Sequence, residues 1–309
     1  MRTEAIKLKK RKGPLNLKKN WVLHVFLLPS VVLLFIFNYI PMAGLAIGFE
    51  DFKPWLGIFR SPWAGFKHFR FMFNDPTALQ VIWNTFVIAT LKIAIGAVAP
   101  FAFALLLNGV KNILFKRTVQ SLVYLPHFLN WVILGGILTD LLSTDGLINQ
   151  FLQSLGLDRV FFLGDGDWFR VTLITSDIWK EFGFGTIVYL AAMAGINPNL
   201  YEAADMDGAT GFQKTRHITV PSILPIAVVI VTLSLGNILN AGFDQVFNMY
   251  NPLVYQKGDI IDTYVYRVGL IQGSYSLATA VGFFKSVIGF VLIATTYRLA
   301  TKYANYRIF

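Results

Sequence analysis

Six stretches of this chain stay mainly apolar for about 20 residues or more, over roughly 21–48, 79–109, 119–143, 171–195, 222–247 and 277–301. A run of that length matches a helix crossing the hydrocarbon core of a bilayer. Composition points the same way. The chain is 55% hydrophobic and only 14% charged, with a mean hydropathy of +0.57, against about 25% charged residues in a soluble domain. So much apolar surface cannot be hidden in a water-soluble core of this size. The expected fold class is an all-α integral membrane protein with six transmembrane helices.

The net charge of +10 belongs to topology rather than to nucleic acid. Eight of the 27 Lys and Arg lie in residues 1–20, directly before the first apolar run, as in a cytoplasmic anchor at an anionic membrane surface. That run is far longer than the ~7–15 apolar residues of a signal peptide, so it is expected to stay as the first membrane helix. With the N-terminus inside, the inner segments carry sixteen Lys and Arg and the outer ones eight. The positive-inside rule therefore places both termini in the cytoplasm. Lys92, Lys180 and Lys285 fall within or near spans. The domain division expected is a basic cytoplasmic segment over 1–20 followed by one six-helix unit over 21–309.

This orientation puts 196–221 in the cytoplasm. Asn199 and Glu202 have capping-box spacing, which predicts a short helix over Leu200 to Met206 closed by the permissive backbone of Gly208. Thr210 and Gln213 repeat the signal and predict a second helix running toward Pro221. Ala203 and Ala204 leave a face without bulk, while Leu200 and Met206 offer apolar anchors. A small protruding element of this kind is suited to docking.

Polar residues inside the apolar runs mark a second region, because burying them is costly unless they face a bundle interior or a water-filled path. Ser234, Asn237, Asn240 and Asp244 recur at helical spacing in the fifth run, which predicts one polar face able to exchange hydrogen bonds with sugar hydroxyls. Asp177, Lys180, Glu181 and Phe184 form a similar stripe in the fourth. Asp177 is expected to pair with Lys180, three residues on, leaving Glu181 and Phe184 for the path. Helix-to-helix hydrogen bonding is the structural alternative for both stripes. Gly44 and Gly48 allow close helix contact, as with a second subunit.

No catalytic motif is present. The chain has no cysteine, no phosphate-binding G-x4-G-K-[ST], no H-E-x-x-H among its four scattered histidines and no G-x-S-x-G. Asp165-Gly166-Asp167 is too short for a calcium loop and reads as a solvated turn. Neither a metal site nor an enzyme activity is expected.

The pattern Glu202-Ala203-Ala204, three residues, Gly208, nine residues, Ile218, two residues, Pro221 resembles the EAA loop of the membrane subunits of binding-protein-dependent ABC importers. By average residue usage its first half arises by chance in a chain this long on the order of one time in a hundred. Val220 stands where the family usually has Leu, a minor apolar swap. The span count and loop position are similar to the maltose-type carbohydrate permeases. Pro29, Asn38-Tyr39-Ile40-Pro41 and Ser61-Pro62-Trp63-Ala64-Gly65-Phe66 look more like the branch handling complex oligosaccharides and polysaccharides.

The resemblance implies a type I importer permease fold in the bacterial cell membrane, with a coupling loop over 197–221. It assigns Glu202, Ala203, Ala204 and Gly208 to ATPase coupling, with Asp207 expected beside them, and likens Ser234, Asn237, Asn240 and Asp244 to the family's sugar contacts; Glu181 and Phe184 are expected on the substrate path from the polar stripe alone. It also implies the partners: a second homologous permease, two ATPase subunits carrying ATP and Mg, an extracellular solute-binding protein, the sugar and membrane lipid, with no nucleic acid and no cofactor on this chain. The rival expectation is an ion-coupled secondary transporter or channel built on Asp244, Glu181 and Lys285, although no internal repeat supports it.

Overall fold

The computed structural model describes residues 21–303. The basic segment 1–20 and the terminal residues 304–309 lie outside the described residues. What is described is helical, with one isolated bridge between Glu50 and Trp63.

The helices follow in chain order. α1 covers Trp21–Phe49, with a wide turn at Phe35–Tyr39 and a tight one at Ala43–Phe49. α2 is Lys67–Asn74 and α3 is Pro76–Gly109. Asp75 starts α3 by accepting the Thr77 amide, and Pro76 sits where a missing N–H costs nothing. α4 (Ile113–Tyr124), α5 (Trp131–Leu142) and α6 (Leu147–Ser154) lead to α7, Gly166–Ala194, capped by Asp165. α8 is Pro198–Met206 and α9 is Gly211–Leu235. α10 (Phe243–Met249), α11 (Ile261–Tyr266) and α12 (Tyr275–Tyr303) complete the chain.

Among the described residues, five helices are long and apolar enough to cross a membrane: α1, α3, the stretch Trp131–Ser154, α9 and α12 up to Arg298. α7 has 29 residues, about 43 Å at 1.5 Å per residue, but Asp177, Lys180 and Glu181 interrupt its apolar character.

Two of the expected spans are broken. In the third, helix stops at Tyr124, Leu125–Phe128 forms a tight turn around Pro126, and Asn130 caps a new helix by accepting the Ile133 amide. In the fifth, α9 ends at Leu235 and the backbone of 236–242 is non-helical before α10 begins.

Three apolar clusters hold the body together. Ile88 and Ala89 of α3 meet Phe169 and Leu173 of α7, with Ala241, Val246 and Met249 from the break and α10. Met72, Val81, Ile261, Tyr264 and Val281 join α2, α3, α11 and α12. Ala104, Tyr189, Met193 and Ile223 tie α3, α7 and α9 near the loop. α4 approaches α7 so closely that a Cβ on Gly183 would lie 2.3 Å from the Val123 carbonyl oxygen. Gly48 packs on Ala280 of this same chain, where a Cβ would lie 3.2 Å from the Ala280 amide nitrogen, while Gly44 has open space around it. The pair is thus not a free stripe for a second subunit. Residues 21–43, by contrast, are all exposed.

Candidate functional site

The loop between α7 and α9 forms two helical arms around a glycine elbow. Its start differs from the expected capping box at Asn199 and Glu202: the cap is Asn197, whose side chain accepts the Asn199 amide at 3.0 Å, and Pro198 takes the first helical position. α8 closes through Gly208, at φ +72°, followed by a bond of 2.9 Å from the Ala209 amide to the Ala204 carbonyl. The Thr210–Gln213 capping box is present as the spacing predicts and opens α9.

Two contacts lock the arms together. Lys214 Nζ donates to Asp205 at 2.5 Å, and Tyr201 shares a hydrogen bond of 2.8 Å with buried Thr219. Glu202, Ala203, Asp207 and Gly208 are exposed, Ala204 is half-buried, and Met206 projects with 88% of its surface free. A Cβ on Gly208 would touch nothing within 4 Å. The loop therefore presents a rigid knob with small residues and one large apolar side chain on its outer surface.

The break after α9 builds the second region. A cavity of about 350 Å³ lies between α3, α7 and α9, lined by Lys92, Asp177, Ser234, Asn237, Asn240 and Gly242 among others. Three of the four stripe residues reach it, although not as one helical face. The chain turns at 236–240, with the Asn237 amide on the Ser234 carbonyl at 2.9 Å and the Asn240 amide on the Asn237 carbonyl at 2.8 Å. Non-helical backbone at such a depth is tolerated where it lines a cavity or is buried in protein. Asp244 is not part of this lining; it is exposed in the first turn of α10.

The charged residues of α7 pair differently from expectation. Asp177 accepts from Lys92 of α3 at 3.1 Å. Lys180 reaches Glu181 at 2.8 Å and the carbonyl of His127 at 3.0 Å. The proline-containing turn at Leu125–Phe128 offers that free carbonyl on the side toward which the Lys180 stem runs, so helical spacing alone does not decide the pair. Glu181 also meets His127 Nδ1 at 2.8 Å, and the His127 ring stacks on Phe184 with centroids 3.9 Å apart. Glu181 and Phe184 thus form a cluster of their own outside the cavity lining. Glu181 keeps 46% of its side chain exposed.

Lys92, Gly242 and Gln245 escaped sequence reasoning as site residues. A lone lysine in a 34-residue apolar helix was the available signal for the first, and glycines at 236 and 242 flanking the asparagines were the signal for the break. The three groups of an ion couple are not assembled. Lys285 binds both oxygens of Asp262, at 2.5 and 2.7 Å, Glu181 belongs to the His127 cluster, and Asp244 stands apart. Among the described residues, no group of three or more His, Cys, Asp and Glu side chains is placed to hold a metal ion.

Comparison with known proteins gives one family, two relatives and two solved structures. The family described as binding-protein-dependent transport system inner membrane component matches residues 92–305. Protein LplB of Bacillus subtilis (strain 168) is 42% identical over 288 residues, 93% of this chain and 91% of that protein. The polygalacturonan/rhamnogalacturonan transport system permease protein YteP of the same organism is 41% identical over 300 residues, 97% and 94% of the two chains. Among solved structures, a bacterial ABC transporter involved in the import of the acidic polysaccharide alginate superposes with a TM-score of 0.86 at 40% identity, covering 93% of this chain and 97% of that one. A second, the alginate ABC transporter in complex with its alginate pentasaccharide-bound periplasmic protein, gives 0.87 at 38% identity, with 94% and 98% covered.

Proposed function

The chain belongs to the inner membrane components of binding-protein-dependent transport systems, and from that premise we propose that it is the permease subunit of an ATP-driven importer that brings an oligosaccharide into the cytoplasm. It is a transport subunit and not an enzyme. The observation that carries the proposal is the locked loop with Glu202, Ala203, Ala204 and Gly208 at its tip, joined by one helix to a polar cavity.

In this proposal six helices cross the bacterial cell membrane, α7 being the one whose charges are covered by protein, and both termini lie in the cytoplasm. Residues 1–20 form the basic anchor and 21–309 the single permease unit. Glu202, Ala203, Ala204, Asp207 and Gly208 engage one of two ATPase subunits, which hold ATP and Mg. Ser234, Asn237 and Asn240 exchange hydrogen bonds with the sugar, and Glu181 and Phe184 border the same path toward the cytoplasm. Asp244, exposed beyond the break, meets the sugar as it enters. A second homologous permease covers the exposed carboxylate of Glu181 and the bare helix 21–43, and an extracellular solute-binding protein delivers the substrate. ATP state and loaded binding protein each favour one conformation, and transport is the exchange between them.

The test is a mild-detergent purification of the chain from its native membrane with identification of the subunits that accompany it, for wild type and for Gly208→Trp. The positive φ makes any side chain there cost about 1–2 kcal/mol of backbone strain, but the surrounding space is open, so the large ring projects onto the docking surface. An ATPase and a second permease accompany wild type, and the ATPase is lost from the variant. Recovery of the chain alone, even after cross-linking, would overturn the proposal.

A further inference from the structure

Lys92 of α3 keeps only 8% of its side chain exposed. Its ammonium group donates to the main-chain carbonyl of Ala241 at 2.8 Å, to Gln245 Oε1, and to Asp177 at 3.1 Å. These acceptors belong to three different pieces: the break, α10 and α7. Gln245, itself fully buried, passes the connection on by donating to the Leu173 carbonyl and Ser176 Oγ of α7, both at 2.8 Å. Gly242 completes the arrangement. Its φ is +93°, which favours glycine, and a Cβ there would sit 3.1 Å from Lys92 Nζ, so that the lysine tip would have to give by a few tenths of an ångström.

In apolar surroundings a stretch such as 236–242 has a strong alternative, which is to continue α9 as helix and satisfy its own amides and carbonyls. Interruption leaves the Ala241 carbonyl without a helical donor. Lys92 supplies one, and the carbonyl, amide and carboxylate together satisfy a cation whose burial alone would be costly. Break and lysine therefore sustain each other. We infer that Lys92 is a positioning residue, a latch that holds the interrupted helix in the non-helical shape that turns Asn237 and Asn240 into the cavity.

The consequence for sugar handling rests on the function proposed above, but the latch itself is tested without any sugar. Because the chain has no cysteine, Asn237→Cys at an exposed position and Leu239→Cys at a buried one serve as single reporters in the full chain, in its native membrane with its partners. The probe is N-ethylmaleimide, read as protection from a later mass-tagging maleimide on this chain. Since thiol modification follows exposure, position 237 reacts about tenfold or more faster than 239 while Lys92 is present. Lys92→Met brings the two rates together, and so does Gly242→Ala, which disturbs the same contact from the other side. Asp177→Asn leaves the carbonyl and Gln245 acceptors in place and preserves the difference.

An unchanged difference in Lys92→Met overturns the latch. So does its collapse in Asp177→Asn alone, which would assign the shape to the ion pair and not to the carbonyl bond. Should Lys92→Met fail to accumulate in the membrane, Lys92→Gln decides, because its shorter neutral side chain keeps a polar group at the position but does not reach the Ala241 carbonyl: rates that stay apart in it overturn the latch. Each rate is read as a time constant and does not follow yield, and a third single reporter buried away from the break, Ala104→Cys, stays slow in Lys92→Met if the break alone is released and speeds up if the whole fold loosens, which would overturn the latch. If the latch holds and no ATPase accompanies the chain, it is the importer proposal that fails.

Discussion

Asp259 shows how burial weights an ion pair in this chain. Its side chain is 1% exposed, it pairs with Arg267, and it accepts from Thr263 Oγ1 at 2.7 Å. Arg267 in turn lies over the Tyr255 ring at 4.2 Å. Removing one partner of such a pair strands a buried charge, so Asp259→Ala is expected to destabilise by about 3–5 kcal/mol. The pair of Arg159 with Asp145 is 50% and 82% exposed, and Asp145→Ala is expected to change stability by less than about 1 kcal/mol. Thermal unfolding of the detergent-purified assembly, followed by intrinsic fluorescence, separates the two; equal shifts would count against the burial argument. The same contrast explains what sequence spacing missed at Asp177. Adjacent turns of one helix suggested Lys180 as its partner, yet a lysine stem reaches across to any neighbouring helix, and Lys92 lay 85 positions away in the chain.

Elements were legible where their signals are local and lost where tertiary contacts override them. Continuous apolar runs marked α1, α3 and α12, and Thr210 with Gln213 marked the start of α9, because length and capping act within a few residues. The start of α8 moved to Asn197 because two capping signals overlapped and the proline settled the choice. The breaks at Pro126 and at 236–242 were hidden inside runs that remain apolar on both sides. For the second, the compensating partners Lys92 and Gln245 come from elsewhere in the chain, so no window of local sequence contains them. Gly183 poses the reverse case, a small residue in an apolar helix whose necessity appears only in the packed structure. With the Val123 backbone 2.3 Å from the place of a Cβ, even Gly183→Ala must push α4 off α7. The expected cost is about 1–3 kcal/mol of overpacking, measurable as a lower unfolding temperature. Gly208→Ala, in open space, serves as the control that carries backbone strain alone.

At the scale of the molecule, Asp244, Glu181 and Lys285 are not brought together, and in the proposed importer the driving energy enters through the docking loop. Sugar uptake in intact cells is expected to fall at least tenfold on ATP depletion and to survive collapse of the proton gradient, the order of change set by coupling energies of about 1–3 kcal/mol or more. Uptake that followed the gradient would return the ion-coupled alternative. α9 gives this expectation a physical route. It starts in the capping box beside Asp205, is tied to α8 through Tyr201 and Thr219, and ends 25 residues later at the break. One helix, widened at Thr215–Thr219, thus has the docking knob at one end and the cavity at the other. Whatever free energy docking contributes to filling the cavity, filling the cavity must return to docking, since equilibrium linkage between two sites is reciprocal. In the proposed importer, this helix reports the cargo to the engine by the same factor by which the engine acts on the cargo.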